Sequence, residues 1–297
     1  MKCIADLDII QIEITNNCLY RCSNCTRLVG HHKHPFVMDL DQFADALDSV
    51  IEAPNRIGIT GGEPLLHPKF GEICEHIRSK VDRSRMGLWT TLPKGKEHYR
   101  EIIVQTFNAI YLNDHSKPGI MHAPLLVASD EVAKDKDLMW YWIDHCWVQN
   151  TWSASITPNG AYFCEVAAAF GALMGVRGWP IEPGWWKRTP KDYVEQMECF
   201  CTKCGAAMPL DRRDSTDGRD DVSPGNLDML KELGSPKSGN VVVHDGRLVQ
   251  EPKKMFQFSD LEYRRSVAAK YGIGLIGYVT PYLDPNWLGS NNFTTPS

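Results

Sequence analysis

The chain has 297 residues, 43% of them hydrophobic and 23% charged, with a formal net charge of -5. That is ordinary for a soluble globular protein with one large domain and a smaller appendage, and the mild acidity carries no nucleic-acid footprint. The longest apolar run, Val166 to Val176, falls well short of the ~20 residues of a membrane-spanning helix, and Asp6 and Asp8 interrupt the early apolar stretch, so no secretory signal is expected.

The first predicted element is a strand over Ile9–Ile14, apolar and rich in β-branched residues. It runs into a loop carrying Cys18, Cys22 and Cys25 in the run CLYRCSNC, a C-x3-C-x2-C spacing. Leu40–Ile51 has helical spacing with Asp39 as its N-cap. Arg56–Thr60 reads as the second strand and ends at Gly61-Gly62-Glu63-Pro64. Phe70–Val81 is a helix, Met86–Thr91 the third strand, Tyr99–Val104 a helix and Phe107–Leu112 the fourth strand, with Leu125–Ala128 a candidate fifth. Repeated βα units predict an α/β fold with a parallel sheet. Functional residues at the C-terminal ends of the strands suit a full or partial barrel.

The pattern changes after about residue 145. Ser155–Thr157, Pro158-Asn159-Gly160 and Ala161–Cys164 read as a β-hairpin with an Asn-Gly turn. An Ala-rich helix over Val166–Met174 follows, then an aromatic, Pro/Gly-rich loop or lid from Gly178 to Trp186. The charge-dense run DRRDSTDGRDD, Asp211 to Asp221, reads as an exposed and partly disordered loop. A helix around Asp260–Tyr271 is the best element of the remaining tail. The chain therefore divides into 1–145, 146–210 and 211–297.

Three closely spaced thiolates can hold three irons of a [4Fe–4S] cube and leave the fourth open to a small chelating molecule. The bland alternative is zinc on a cysteine knuckle. With the GGEP run after the second strand, this arrangement resembles the radical S-adenosylmethionine (radical SAM) superfamily. The resemblance implies that Cys18, Cys22 and Cys25 ligate the cluster and that the amino and carboxylate groups of SAM chelate its open iron. It implies a partial (β/α) barrel in which Gly61, Gly62, Glu63 and Pro64 hold the methionine end of SAM and Thr90 and Thr91 meet its ribose. The family usually has an aromatic residue before the third cysteine; here it is Asn24, so no adenine contact is carried over to that position.

Five further cysteines lie in the second half: Cys146, Cys164, Cys199, Cys201 and Cys204. They look like the shortened auxiliary-cluster module called Twitch, a relative of the SPASM domain. That match implies a small C-terminal auxiliary-cluster domain in which Cys146, Cys164, Cys201 and Cys204 hold a second [4Fe–4S] cluster, with Cys199 spare or in place of Cys201. Three residues rather than the usual four separate Gly160 from Cys164. A structural zinc on the same four thiolates is the alternative. Cys3 and Cys74 are read as incidental. Ten cysteines without an export signal point to metal or redox chemistry in a reducing cytoplasm.

The family resemblance implies reductive cleavage of SAM and hydrogen-atom abstraction from an unreactive carbon. A second cluster could accept the further electron of a dehydrogenation, and a nearby base would take the proton. The same module occurs in the radical alcohol dehydrogenase of an aminoglycoside pathway, whose cysteine interval resembles that from Cys146 to Cys164. The expectation is an oxidoreductase acting on a small polar molecule such as a sugar, aminocyclitol or sugar nucleotide. A flavodoxin- or ferredoxin-like donor would supply the electron. The alternatives are a peptide- or protein-modifying maturase and a redox-neutral epimerase or mutase with zinc at the second site. A non-catalytic protein with zinc at both sites is a third reading. His115 and Asp114, just after the fourth strand, are the candidate bases, with Asn113 beside them for cofactor binding; turn chemistry alone is the competing account. His31, His32 and His34 read as a solvated run, and Glu165 as either support for Cys164 or a helix start.

Overall fold

The computed structural model describes residues 1–113, 115–116, 118–151 and 153–248. Asp114 and the helix expected over Asp260–Tyr271 lie outside them. Strand β1, Ile9–Thr15, is buried along its whole length. It is flanked on both sides, which is why it reads as a nearly continuous apolar run. Helix α1, Leu40–Asp48, starts at a capping box in which Asp39 accepts from Gln42 N and the Gln42 side chain accepts in return. It buries Phe43, Ala46 and Leu47. Strand β2, Arg56–Gly61, follows. Helix α2, Phe70–Lys80, buries Phe70, Ile73, Cys74 and Ile77 on one face, which places Cys74 in the core. Strand β3, Met86–Thr90, helix α3, Arg100–Thr106, and strand β4, Ala109–Leu112, complete the repeating units.

Neighbouring pairs from β1 to β4 are parallel, as repeated βα units require. The chain then passes through the short strand β5, Met121–His122, and helices α4, Ser129–Val132, α5, Lys136–Asp144, and α6, Trp147–Thr151. It returns to the opposite side of β1 as β6, Ser153–Thr157, again parallel. Strand β7, Gly160–Tyr162, folds back antiparallel. The sheet order is β4-β3-β2-β1-β6-β7, an open α/β sheet with β4 and β7 at its edges. The hairpin that carries the chain toward Cys164 is therefore built into the same sheet as the N-terminal units. Its register pairs Thr157 with Gly160, so Pro158 and Asn159 form the two-residue loop. Gly160, at φ 124°, sits one position later than an Asn-Gly turn would put it.

Helix α7, Glu165–Met174, follows Cys164 and ends at Gly175 in the left-handed conformation. The aromatic segment after it is a loop, exposed at Pro180, Glu182 and Pro183 and anchored by two tryptophans. Trp179 bridges Ala161 in the hairpin, and Trp185 is buried. Helix α8, Val194–Phe200, leads into the last two cysteines. Leu125–Ala128 forms no strand; Leu126 alone bridges Val222.

The charge-dense segment departs most from its expected exposure. It holds strand β8, Arg213–Asp214, and strand β9, Asp220–Val222, which pair with β5 and with β10, Val241–Val243, respectively. Helix α9, Pro224–Glu232, lies between β9 and β10. Asp220 and Asp221 are buried because each charge has a partner, among them Arg213 on Asp221 and Lys237 on Asp220. Composition alone reads as solvent exposure; the pairing that reverses it is long-range.

Candidate functional site

The end of β2 is pressed against the start of the cysteine loop. Gly62 N donates to Thr15 O and Glu63 N to Asn17 O, both at 2.8 Å. A Cβ on Gly61, at φ 154°, would stand 1.9 Å from Thr15 O, and one on Gly62 would stand 2.4 Å from Asn17 O. Only glycine permits this approach. Glu63 is fully buried, and its carboxylate is occupied within the protein. Oε1 accepts from Thr90 Oγ1 at 2.7 Å and Leu65 N at 3.1 Å; Oε2 accepts from Thr91 N and Thr91 Oγ1 at 2.7 Å. Burial pushes its carboxyl up, against these bonds. Glu63 thus ties the end of β2 to the end of β3.

These strand ends open on a cavity of about 470 Å³. Cys18, Cys22 and Cys25 line it together with Gly61, Gly62, Thr90 and Thr91. Asn113 and His115 line it as well, whereas Glu63 and Pro64 stand behind its wall. Burial pushes all three thiols up, Cys18 to about 12, and the neighbouring thiols push Cys18 and Cys22 further. Holding them as thiolates therefore calls for a cation in their midst. Asn24 adopts the left-handed conformation at φ 48°, which asparagine tolerates better than an aromatic residue.

The floor of the cavity is polar. Gln11, Arg27 and Glu165 line it. The Arg27 guanidinium places Nε 3.5 Å from Glu13 Oε1 and Nη2 3.2 Å from Glu165 Oε2, and it also donates to Gln11 Oε1. Burial works against its charge, but the two carboxylates more than offset this. Its Nη1 is buried with no protein partner. Glu13 also accepts from Ser155 Oγ at 3.0 Å. Burial pushes its carboxyl up despite Arg27 and Ser155. Trp89 and Tyr111 stack at 3.9 Å on another wall. His122 lies edge-on to His115, with ring centroids 4.9 Å apart and Nδ1 2.7 Å from Ser23 O. Burial holds the His122 imidazole below its usual value.

Gln11, Arg27, Trp89, Tyr111 and His122 were not singled out from the sequence. A signal existed for Gln11. It and Glu13 are the polar positions of an otherwise apolar strand interior, at a two-residue spacing that puts them on one face.

All ten cysteines are free. In the second set, Cys146 follows α5, Cys164 caps α7, and Cys201 and Cys204 flank one 3-10 turn. Burial pushes these four thiols up, and a thiolate at one would raise its neighbours further: Cys146 acts on Cys164, Cys201 and Cys204, while Cys201 is also raised by Cys204 and Cys164. Cys199 lies inside α8, ahead of the turn that carries Cys201 and Cys204. Trp147, beside Cys146, lines the main cavity. Among the described residues, no three His, Cys, Asp or Glu donors converge on one ion. A cube takes each thiolate on a different iron and needs no such convergence.

Residues 12–113, the span from β1 to the end of β4, match the radical SAM superfamily. This stretch is similar to the domain of that superfamily. It is 29% identical over 76 residues to the GTP 3',8-cyclase of Hydrogenovibrio crunogenus (strain DSM 25203 / XCL-2), 24% of this chain and 23% of that one. The chain thus spans under a quarter of the length of this curated relative. The crystal structure of BtrN in complex with AdoMet and 2-DOIA aligns at 16% identity and a TM-score of 0.45, over 66% of this chain and 88% of that one. Selenomethionine BtrN in an open conformation aligns at 14% identity and a TM-score of 0.41, over 67% and 87%. Among the described residues, no helix is long and apolar enough to cross a membrane.

Proposed function

We propose that the chain is a two-cluster radical SAM oxidoreductase that removes a hydrogen atom and then a proton and an electron from a small polar substrate. The observation that carries this reading is the single cavity onto which Cys18, Cys22, Cys25, the Gly61-Gly62 run and the Thr90-Thr91 strand end all open. Cys18, Cys22 and Cys25 would hold the [4Fe–4S] cluster, and three buried thiolates that would otherwise repel one another suit a cationic centre. With SAM and one donated electron, that centre supplies the 5′-deoxyadenosyl radical that abstracts hydrogen.

The chain's own residues do the rest. Gly61 and Gly62, whose lack of side chains lets their strand end press against the cysteine loop, line the cavity where the methionine end of SAM would sit. Thr90 and Thr91, fixed by Glu63, line the cavity and would meet the ribose. Gln11, Arg27 and Glu165 present two kinds of hydrogen-bonding group to a hydroxyl-bearing substrate. His115 is the proposed base, and its neighbour His122 can share the role because burial keeps it neutral. Cys146, Cys164, Cys201 and Cys204 would hold the second cluster, the acceptor of the second electron. A flavodoxin- or ferredoxin-like protein would supply the first electron, in the cytoplasm.

The test is anaerobic reconstitution followed by reduction in the presence of SAM. The parent protein should release 5′-deoxyadenosine and a Cys22→Ala variant should not. No 5′-deoxyadenosine from an iron-loaded parent would end the proposal. Iron and zinc counts on a Cys201→Ala variant test the second site separately: loss of about four irons supports a cluster, and loss of one zinc would remove the electron acceptor.

A further inference from the structure

The histidine run after the cysteine loop and the acidic segment near residue 220 have no part in the chemistry above, yet they meet in the fold. Asp220 is 2% exposed and Lys237 5%. Asp220 Oδ2 lies 2.7 Å from Lys237 Nζ and 2.9 Å from His31 Nε2, and Oδ1 accepts from Asn24 N. Lys237 Nζ also donates to Cys22 O at 2.9 Å and Arg21 O at 3.4 Å. Asn24 and Asp221 exchange two bonds at 2.9 Å. Ser23 N donates to Ser215 O at 2.9 Å. The backbone from Arg21 to Asn24 is therefore held by a segment up to 216 residues away in sequence.

We propose that Asp220 and Lys237 are positioning residues for the metal centre of the cysteine loop: they clamp its backbone and balance the charge beside it. This rests on the reading that Cys18, Cys22 and Cys25 hold the [4Fe–4S] cluster. Two arguments carry it. The loop's backbone groups at Cys22 and Asn24 are satisfied by charged side chains, which make stronger bonds than neutral ones. The ammonium and carboxylate are also both buried and in contact, so they cancel beside the loop. Removing either one leaves a net charge there, and a cluster's reduction potential responds to nearby charge and hydrogen bonding. An added electron is favoured by a cation and opposed by an anion. Asp220→Asn, which leaves the lysine, should raise the potential, and Lys237→Met, which leaves the aspartate, should lower it. Asn24 occupies the position where the family usually has an aromatic residue because it is part of this clamp.

The experiment has two readouts. In the iron-free protein, amide hydrogen exchange over residues 18–28 should quicken about tenfold or more in each variant, while the amides of β2 to β4 keep their parent rates. In the reconstituted protein, EPR-monitored potentials should order as Lys237→Met below parent below Asp220→Asn. The double variant leaves no charge buried unpaired. It should return to the parent potential while keeping the fast loop exchange, and it is the variant to read if a single one fails to fold. Unchanged loop exchange in the folded variants would overturn the clamp, and shifts of the same sign in both singles would overturn the charge balance. A parent cluster that does not respond to SAM, or that survives in Cys22→Ala, would instead sink the ligand reading beneath it.

Discussion

Arg27→Met is the sharpest test of the cavity floor. Methionine keeps much of the arginine stem's bulk, so the change removes charge and hydrogen bonding more than packing. At 3.5 Å from Glu13 and 3.2 Å from Glu165, each contact is worth about 5 kcal/mol at an effective dielectric of about 20 before desolvation is set against it. Breaking a buried pair from one side costs about 3–5 kcal/mol, because the partner is left buried and uncompensated. Burial already pushes the Glu13 carboxyl up and Arg27 opposes it; without Arg27 it rises further. A carboxyl raised in the folded state binds its proton more tightly there than in the unfolded chain. The variant's stability therefore falls as pH climbs from the unfolded carboxylate range near ~4.3 through the raised folded value. Urea unfolding of the iron-free, reduced protein, followed by tryptophan fluorescence at pH 8 and pH 5, should show about 3–5 kcal/mol lost at the higher pH and clearly less at the lower. Adding Glu13→Gln should recover part of the loss. A cost below about 1 kcal/mol, or equal costs at both pH values, would refute the argument that Arg27 is held by two buried carboxylates.

Glu63→Gln replaces an acceptor-only group with one that must point an NH2 at a donor of Leu65, Thr90 or Thr91. It should cost about 1–3 kcal/mol in thermal or chemical unfolding. Gly62→Ala drives a methyl group to 2.4 Å from Asn17 O. The cysteine loop must shift, so iron loading should fall and the unfolding midpoint drop by an amount set by about 1–3 kcal/mol of overpacking; full loading would contradict the close approach. On the proposed reading, Cys199→Ala should leave the metal content of the second site unchanged, whereas Cys201→Ala should abolish it, since Cys199 lies inside α8 while Cys201 and Cys204 bound the turn that follows.

Elements carried by local pattern could be read in the chain itself. The β-branched run of β1, the Asp39 cap and the hydrophobic face of α2 are short-range signals, and each led to the element observed. The hairpin was found as well, but its turn is displaced by one residue, because strand register against β1 outweighs the local preference of Asn-Gly. What the sequence hid depends on partners far along the chain. Arg27 looks like an ordinary loop residue until β1 and the start of α7 bring Glu13 and Glu165 to it. His31 and the run ending at Asp221 read as solvated because composition counts charges and not their pairing. Two polar residues at a two-residue spacing inside a strand buried on both faces were the one local sign of an internal polar floor.

The two cysteine sets are joined by the fold in a way that bears on the proposed electron path. An acceptor for a substrate radical must stay at a fixed distance from the site where the radical forms. A flexible linker between two domains would not provide that. Here β6 is hydrogen-bonded directly to β1, and the hairpin it begins delivers Cys164 at the head of α7. Arg27, two residues after Cys25, grips Glu165, the residue after Cys164. One sheet and one buried ion pair thus set the spacing of the two loops, and the cavity floor between them is made of the same residues that fix it. On the proposed reading, Arg27→Met should therefore slow substrate oxidation more than SAM cleavage without substrate. The first depends on the relation between the loops, while the second needs only the loop of Cys18, Cys22 and Cys25. Equal slowing of both would mean that Arg27 supports the first loop alone.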